Sequence, residues 1–524
     1  MEVRIGRVED LLDGRPRRVQ AGERSLLVVR LGDEVRALPS ECPHYHGPLA
    51  EGVSHDGRVY CPWHQSVFRL RDGDVLDPPT FFALPTYDLR VVDGEVSVDL
   101  PDEAPAQRLS AMTPYDPEAE KKRVAVIGAG GAAAAAADEL RQRGFRGHII
   151  LIGPEEHPPY DRPNCTKNLL AGTMPASWMP LHSAKFYEKW GVDRRIDTVS
   201  SCDARSRRLK LAGGEELSAD AVLLASGGIP RRLTVPGSDL GSVFTLRTWD
   251  DCEAIVAACD GARRAVVVGA SFIGMEAAAS LRHRGLEVAV VAPDEVPMRR
   301  VFGEAVGASL RALHERNGVV FHLGHGVAAL HGNGPVTAVE LEGGEVLPAD
   351  LVVVGVGVTP ATAFLDGAEK DKDGGVTVDE ELRVPAVEGV WAAGDVARFP
   401  AAHLGGQPVR IEHWRLALQH GRAAARSIAG LGLPFADVPF FWTQQYDLRV
   451  GFAGYGRPWD EIVMAGDPSS DFIAYYCSEG RPHAAAGTRD RQLCAFSELM
   501  RLGRLPDAER LRSDSSLDLA ALLD

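Results

Sequence analysis

The sequence predicts a multidomain protein with an all-β N-terminal domain, a central α/β region and an α+β C-terminal domain. The chain has 524 residues, more than one hydrophobic core usually organises, so two to four domains are expected. Residues 1–100 alternate apolar and polar side chains over short segments, which is typical of antiparallel strands. Residues 122–293 carry one strand–turn–helix unit twice, which is typical of α/β folds.

Composition and charge narrow the classes of function. Hydrophobic residues make up 45% and charged residues 25% of the chain, as in ordinary globular proteins. The formal net charge of −16 disfavours a nucleic-acid partner, which requires a basic surface. We expect neither a membrane span nor a secretory signal, because no long apolar run and no apolar leader segment are present. Eight scattered cysteines are typical of a reduced, cytoplasmic protein.

The N-terminal domain carries two short segments that each offer one cysteine and one histidine. They are CPHYHGPL and CPWHQSVF, and they give the pattern Cys42-x-His44, sixteen residues, then Cys61-x-x-His64. Zinc fingers group their ligands differently, as cysteine pairs and histidine pairs. Mixed loops suit a binuclear iron cluster in which one iron takes both thiolates and the other takes both imidazoles. Zinc or a coincidental grouping is the alternative.

These ligands and the flanking VYCPWHQSVFRLRDGDVLDPP resemble the Rieske [2Fe–2S] domain over about residues 1–100. The resemblance implies Cys42, His44, Cys61 and His64 as the metal ligands. Ser66 follows the second loop, where its hydroxyl either donates to a cluster sulfur or is a plain loop serine. Residues 101–121 hold four prolines and five carboxylates with little periodicity, so we predict a linker that lets this domain dock and swing.

After the linker comes the first strand–turn–helix unit. An apolar strand at 124–127 runs into Gly128-x-Gly130-x-x-Ala133 and then an alanine-rich helix. The glycines allow a tight turn and let backbone N–H groups approach a pyrophosphate at the helix N-terminus. Glu155 follows the next predicted strand and is placed to bind ribose hydroxyls. A lone motif of this kind is weak evidence, but the sequence contains a second.

The second unit has the turn Gly269-x-Ser271-x-x-Gly274. Its second strand ends in Ala292 and Pro293, without the acidic residue that would select NAD, and without an arginine directly there that would select NADP. We favour NADH. Two such units in one chain imply two bound dinucleotides.

Three further segments extend the pattern: LLASGGIPR with Ala225, LVVVGVGVTPAT with Gly357, and GVWAAGDVAR with Gly394 and Asp395. Together the motifs resemble the FAD- and NAD(P)H-binding reductases of the glutathione-reductase fold, a two-dinucleotide-binding α/β fold. That resemblance implies a split FAD-binding domain at 122–240 and 361–435. The NAD(P)H-binding domain would be inserted at 241–360, and a C-terminal interface domain would span 436–524.

One segment indicates the branch of this superfamily. Cys165 has no nearby cysteine, and Cys252 and Cys259 look like packing residues, which disfavours dithiol chemistry. PPYDRPNCTKNLLAG instead resembles oxygenase-coupled ferredoxin reductases and relatives of apoptosis-inducing factor, with Arg162 and Lys167 matching. With the Rieske domain in front, the chain resembles the Rieske-containing, apoptosis-inducing-factor-like (type 3) reductases.

The resemblance implies a set of site residues. Lys167 would lie near flavin N5 and pair with Glu276, and both are candidate catalytic residues. Trp414 would approach the flavin, whereas Trp442 would either approach it or belong to the core. The candidate FAD-binding residues are Gly128, Gly130, Ala133, Glu155, Arg162, Lys167, Ala225, Gly394, Asp395 and Trp414. The candidate NAD(P)H-binding residues are Gly269, Ser271, Gly274, Glu276 and Gly357.

The predicted function is electron transfer from NAD(P)H through FAD to the fused [2Fe–2S] cluster and on to an external acceptor. Flavin suits the middle position because it exchanges both two electrons and one. The acceptor is expected to be a protein such as an oxygenase or a cytochrome, and a homodimer is compatible with the resemblance. The alternative is an NADH-responsive, redox-sensing interaction protein with incidental turnover. A ring-hydroxylating oxygenase is excluded, since the nucleotide folds leave no room for its mononuclear iron domain.

Overall fold

The computed structural model describes residues 2–101, 103, 105–455 and 458–523, so Asp102 and Ala104 of the predicted linker lie outside the described residues. The α-helices are α1 (Gly131–Gln142), α2 (Asn168–Ala171), α3 (Ala184–Lys189), α4 (Trp249–Cys259), α5 (Phe272–His283), α6 (Arg299–Arg316), α7 (Trp414–Ile428), α8 (Asp490–Arg501) and α9 (Ala508–Ser513). Within the described part of the chain, no helix combines the length and apolar character needed to cross a bilayer.

The N-terminal region is built from three antiparallel sheets, as the alternating pattern predicted. The first contains Glu2–Arg7, Glu95–Asp99 and Asp88–Val92; the second contains Arg17–Ala21, Arg24–Leu31 and Glu34–Pro39; the third contains Val53–His55, Arg58–Tyr60, Val67–Arg69 and Val75–Asp77. The sheets bury an apolar core around Leu27, Leu38 and Phe68, and the cysteines of both predicted cluster loops belong to this core.

The central region contains two five-stranded parallel sheets. In spatial order the first consists of Val192–Ile196, His148–Gly153, Arg123–Ile127, Ala221–Leu224 and Val390–Ala392. The second consists of Val243–Thr245, Leu351–Val354, Arg264–Val268, Glu287–Ala292 and Val319–Leu323. The last strand of the first sheet follows the whole second sheet in sequence, so one α/β unit is inserted into the other.

The chain passes between the two units in an antiparallel ribbon of Gly228–Pro230 and Val358–Pro360. Smaller sheets flank the two units: Glu216–Ser218, Arg208–Leu211, Val199–Asp203 and Leu365–Asp366; Val327–Gly332, Val336–Leu341 and Val346–Pro348; and Val376–Thr377, Ala397–Ala401 and Gln407–Arg410. Helices α1 and α7 pack together beside the first sheet, which places the N-termini of both helices at one edge of a shared cavity.

The C-terminal region is a five-stranded antiparallel sheet covered by α8 and α9. Its strands in spatial order are Phe440–Gln445, Leu448–Gly454, Arg481–Gly487, Phe472–Ser478 and Glu461–Gly466. Val53, Tyr60 and Val67 of the N-terminal region are buried in the same apolar cluster as Phe440 and Phe496 of this region. The first and last regions of the chain therefore share a hydrophobic core. The multidomain fold predicted from the sequence is confirmed.

The described part of the linker runs against both neighbouring regions. Arg108 and Ala83 exchange two backbone hydrogen bonds of 2.8 Å, and the Arg108 guanidinium binds Asp74 at 2.7 Å. Further on, the Thr113 N–H donates to the Arg141 carbonyl at 2.8 Å. These contacts tie the linker to the N-terminal region at one end and to the first α/β unit at the other.

Candidate functional site

The two cluster loops have the same backbone design. In the first loop, the Cys42 N–H donates to the carbonyl of Gly47, five residues later, and the Cys42 carbonyl accepts a bond from the His46 N–H, both at 2.9 Å. The second loop repeats both bonds: Cys61 N–H donates to Ser66 at 2.8 Å, and Gln65 N–H donates to Cys61 at 3.0 Å. His46 and Gln65 occupy equivalent left-handed positions, with φ of 61° and 57°. Each loop thus presents its cysteine and histidine in the same way.

The four predicted ligands converge as two pairs. The Nδ1 atoms of His44 and His64 lie 3.1 Å apart, close to the separation of about 3.3 Å for two imidazole nitrogens on one tetrahedral metal ion. The thiols of Cys42 and Cys61 are within hydrogen-bonding reach of each other and are buried. One nitrogen pair and one sulfur pair match the donor set of a binuclear cluster with His₂ on one iron and Cys₂ on the other.

The electrostatics favour the coordinating form at two of the four predicted ligands, whereas burial and then the Cys61 thiol raise the pKa of Cys42 well above its usual value. Burial, and then His44, lower the pKa of His64 well below its usual value, which keeps the imidazole neutral for coordination. Burial raises the pKa of Cys61, but the Cys42 thiol and the backbone N–H groups of Trp63 and His64 outweigh it and lower the pKa. Ser66 lies where its hydroxyl donates to the Cys42 sulfur, the first of its two predicted roles.

A cavity of about 540 Å³ lies between the first α/β unit, α5 and the C-terminal sheet. The predicted FAD-binding residues that line it are Gly128, Gly130, Glu155, Arg162, Lys167, Ala225, Gly394, Asp395 and Trp414. Ala133 is the exception, since it is buried within α1. The size suits a nucleotide cofactor, because ligand pockets typically enclose about 300–1,000 Å³.

Two glycines show why the cavity wall needs residues without a side chain. Gly128 has φ +121°, and a Cβ there would lie 2.2 Å from the carbonyl oxygen of Ala225. A Cβ on Gly131 would lie 2.7 Å from the Trp414 ring. The turn therefore lets α1 begin directly against the first sheet and the indole, with its free N–H groups facing the cavity.

Two ion pairs line the cavity, and the sequence predicted three of their four residues. Arg162 donates to Glu155 at 2.7 Å, which links two predicted FAD-binding residues. Asp395 accepts a bond of 2.6 Å from Arg247, a residue that the motif analysis missed. Arg247 immediately precedes Thr248, the N-cap residue of α4, and lies outside every recognised motif, so nothing local marked it.

Lys167 and Glu276 form a buried ion pair at the cavity wall. Lys167 Nζ donates to Glu276 Oε2 at 2.7 Å, and their side chains are 10% and 5% exposed. The Glu276 carboxylate also accepts bonds from Thr166 at 2.6 Å and from Thr443 at 2.7 Å. Thr443 is in the C-terminal sheet, so residues from three regions of the fold meet at this carboxylate.

The predicted NAD(P)H-binding residues lie around the turn between Arg264–Val268 and α5. Glu276, Phe272 and Ile273 of α5 line the cavity, whereas Gly269, Ser271, Gly274 and Gly357 lie outside it. A Cβ on Gly269 would approach the Gly355 carbonyl oxygen to 2.4 Å, so this turn requires glycine. The structure thus brings Glu276 to the predicted FAD-binding residues, whereas the glycines of the second turn are not part of the cavity lining.

Trp442 connects the cavity to the cluster loops. Its indole lines the cavity and lies 4.2 Å from the His64 ring, centroid to centroid, and 6.3 Å from that of His44. The indole also packs against the apolar cluster of the C-terminal sheet, so it combines the two roles that the sequence left open, approach to the flavin site and core packing. On the same side, Tyr45 of the first loop donates to Asp161 at 2.9 Å.

Cys165 is buried, and Cys252 belongs to the same apolar cluster. All eight cysteines, every one of them among the described residues, are free thiols. Burial raises the pKa of the Cys165 thiol far above its usual value, which keeps it protonated. The expectation that no dithiol operates beside the flavin agrees with this environment.

Two dinucleotide-binding units around a common cavity, joined to a β domain with a Cys₂His₂ cluster site, define the class of iron–sulfur flavoprotein reductases. Comparison with known families agrees. Residues 1–88 match the Rieske [2Fe–2S] domain, residues 122–421 match the pyridine nucleotide-disulphide oxidoreductases, and residues 440–523 match the reductase C-terminal domain. The chain therefore belongs to the pyridine nucleotide-disulphide oxidoreductase family.

Some relatives match nearly the whole of this chain, and others match about three quarters of it. Apoptosis-inducing factor 3 from Homo sapiens is 34% identical over 516 residues, covering 96% of this chain and 84% of the relative. The crystal structure of the ferredoxin reductase for the CYP199A2 system from Rhodopseudomonas palustris is 30% identical, with a TM-score of 0.72, covering 77% of this chain and 100% of that one. The covalent putidaredoxin reductase–putidaredoxin complex is 28% identical, with a TM-score of 0.71, covering 77% and 98%.

This protein is an FAD-dependent NAD(P)H oxidoreductase of the ferredoxin-reductase type, and its cofactors are FAD, NAD(P)H and a Rieske [2Fe–2S] cluster. FAD accepts a hydride equivalent from a nicotinamide and releases its electrons singly, which a one-electron cluster requires. The predicted enzyme class and cofactors are confirmed.

Proposed function

We propose that the fused Rieske cluster is the immediate acceptor of electrons from the flavin site of the same chain. The observation that carries this proposal is the position of Trp442, which lines the flavin cavity and packs on the His64 imidazole at 4.2 Å. Such a contact supports electron transfer within one molecule and needs no second protein. The fusion also replaces a bimolecular encounter with a high effective concentration.

The chain's own residues have separate roles in this proposal. Lys167 places a cation at the cavity wall, and Glu276 holds it there and balances its charge. Arg247 and Asp395 would hold the polyol of a bound FAD, and Trp414, which packs beside Gly131 at the α7 N-terminus, would contact the cofactor from the cavity wall. We also propose the domain bounds predicted above, 1–100, 122–240 with 361–435, 241–360 and 436–524, as the units that carry these roles.

The experiment is anaerobic stopped-flow mixing of the holoprotein with NADH. Flavin bleaching is followed by absorbance, and cluster reduction is followed by EPR after freeze-quenching. We expect flavin bleaching first and a Rieske EPR signal second. A matched pair of variants then tests the route: Trp442→Leu removes the indole between the sites, whereas Trp459→Leu removes an indole that packs on Tyr476 instead. Flavin bleaching with an EPR-silent, oxidised cluster in the wild-type chain would refute the proposal.

We propose NADH as the preferred donor. The strand Glu287–Ala292 ends without an acid, and both arginines that follow it are paired: Arg300 donates to Asp294 at 3.0 Å, and Arg299 lies 3.8 Å from Glu304. A guanidinium paired in this way is a poor ligand for the 2′-phosphate of NADPH. The check is the ratio of kcat/KM for NADH and NADPH, which should exceed 10. A ratio below 1 would contradict the proposal.

The external acceptor is proposed to be an electron-transfer protein such as an oxygenase component or a cytochrome. Support comes from the relatives, one of which is the reductase for the CYP199A2 system and another of which was crystallised with putidaredoxin. Sustained, NADH-dependent reduction of a cytochrome in excess would support this role. A protein that stops after one equivalent would instead be the redox sensor considered above. Sedimentation velocity of the holoprotein tests the homodimer that the resemblance allows. We also propose a cytoplasmic location.

A further inference from the structure

Three side chains from the reductase part of the chain bind the backbone of the second cluster loop. Arg415 donates to the carbonyl of Gln65 at 2.8 Å, and Arg449 donates to the carbonyl of Trp63. The Cys494 thiol lies 3.5 Å from the carbonyl of Cys61. The two arginines therefore bind the carbonyls immediately before and after the ligand His64.

Arg415 connects the helix beside the flavin cavity to the second cluster loop. It follows Trp414, the first residue of α7, and is 2% exposed. Besides Gln65, its guanidinium donates to the Pro78 carbonyl at 2.9 Å and pairs with the carboxylate of Asp77. One buried cation at the start of the flavin helix thus binds the cluster loop and a second segment of the N-terminal domain.

Arg449 provides the second attachment from the C-terminal sheet. It pairs with Asp490, and its guanidinium lies over the Trp63 ring at 5.6 Å. Its strand pairs with the strand that carries Trp442, with Arg449 opposite Gln444. The residue that binds the loop and the residue that packs on His64 therefore belong to adjacent strands of one sheet.

We propose that Arg415 and Arg449 are positioning residues that hold the peptide groups on both sides of His64 and so fix the cluster against Trp442. The proposal rests on the cluster taking electrons from the flavin site. Hydrogen bonds from charged donors are shorter and stronger than those between neutral groups. Two such bonds, one on each side of His64 in the chain, restrict the movement of the loop. They matter there because a shift of the His64 imidazole would change the distance over which an electron is transferred.

The arginines also add positive charge beside the cluster. The Arg449 guanidinium binds the carbonyl of Trp63, which lies between the predicted ligands Cys61 and His64 in the loop. A nearby cation stabilises the reduced cluster, which carries one more negative charge than the oxidised one. Loss of the Arg449 charge should therefore make the cluster potential more negative, whereas a lysine at this position should restore the potential.

The experiment compares the full-length holoproteins of Arg415→Met, Arg449→Met and Arg449→Lys with the wild type. Arg491→Met is the matched control, because Arg491 also crosses to the N-terminal domain and donates to a carbonyl, that of Gly52 at 2.9 Å, away from the ligands. Iron and FAD content are measured first. Stopped-flow and EPR then give the rates of flavin and cluster reduction, EPR-monitored titration gives the cluster potential, and hydrogen exchange gives the protection of the loop amides at 61–66.

We expect both methionine variants to slow cluster reduction at least tenfold relative to flavin reduction and to expose the loop amides. Arg449→Lys should restore the potential, and Arg491→Met should match the wild type in all readouts. Wild-type rates and unchanged amide exchange in both methionine variants would overturn the inference, and so would equal effects in Arg491→Met. If the wild-type cluster is not reduced at all, the proposed function fails, while amide exchange and the cluster potential still decide whether the arginines position the loop.

Discussion

Replacement of Glu276 by glutamine tests the buried ion pair at the cavity wall. Glutamine keeps the shape of the side chain and can still bind Thr166 and Thr443, so the change removes mainly the charge. At 2.7 Å and an effective dielectric constant of about 20, the attraction to Lys167 is about 6 kcal/mol before desolvation. Removing one partner of a buried pair leaves the other charge uncompensated and costs about 3–5 kcal/mol. We expect Glu276→Gln to lower the free energy of unfolding by that amount.

The assay is equilibrium urea unfolding of the holoprotein, followed by the rise in flavin fluorescence on FAD release. Lys167→Met and the double variant complete a double-mutant cycle, and Thr443→Val is the control, which removes one hydrogen bond to the carboxylate, worth about 1.5–3 kcal/mol, and leaves the ion pair in place. The double variant should lose less stability than either single variant, because it leaves no buried charge unpaired. A loss below 1 kcal/mol for Glu276→Gln, or strictly additive losses, would refute the reasoning.

Three further predictions concern other parts of the structure. Burial raises the pKa of Glu139, but three arginines led by Arg422 outweigh it and lower the pKa to about 2. This carboxylate therefore contributes about 3 kcal/mol to the free energy of unfolding above pH 4.5, and that contribution is lost as the pH falls towards 2. The free energies of unfolding of Glu139→Gln and the wild type should therefore differ at pH 6 and converge near pH 2. Asp395→Ala leaves Arg247 without its partner and should weaken FAD binding by roughly 10–100-fold in titrations of the apoprotein, while unchanged affinity would place the flavin elsewhere. Cys61→Ser should abolish acid-labile sulfide while retaining one FAD per chain, and retention of the cluster would show that Cys61 is not a ligand.

The elements that the sequence predicted well are those encoded locally. Gly128 and Gly269 stand in turns where a Cβ would collide with a neighbouring carbonyl, so a short motif carries the whole requirement. The candidate cluster ligands could be proposed for the same reason, since each loop supplies a cysteine and a histidine within four residues.

The contacts that escaped prediction join residues that lie far apart in the chain. Arg415 binds the carbonyl of Gln65 across 350 positions, and a backbone carbonyl leaves no mark in a sequence. Arg247 pairs with Asp395 across 148 positions, and only the acid belongs to a motif. The role of Trp442 stayed open because an indole in an apolar strand packs equally well in a core or at a cavity.

The shared core of the first and last regions has a consequence for synthesis of the protein. Val53, Tyr60 and Val67 complete their burial only against residues near the other end of the chain, and the contact between Cys494 and Cys61 spans 433 positions. At about 5–20 residues per second, a ribosome needs roughly 20–90 s to cover that interval. For that time the nascent N-terminal domain exposes an apolar face and an unsupported metal loop. Cluster insertion and chaperone protection must therefore either wait for the complete chain or act on this partly covered domain.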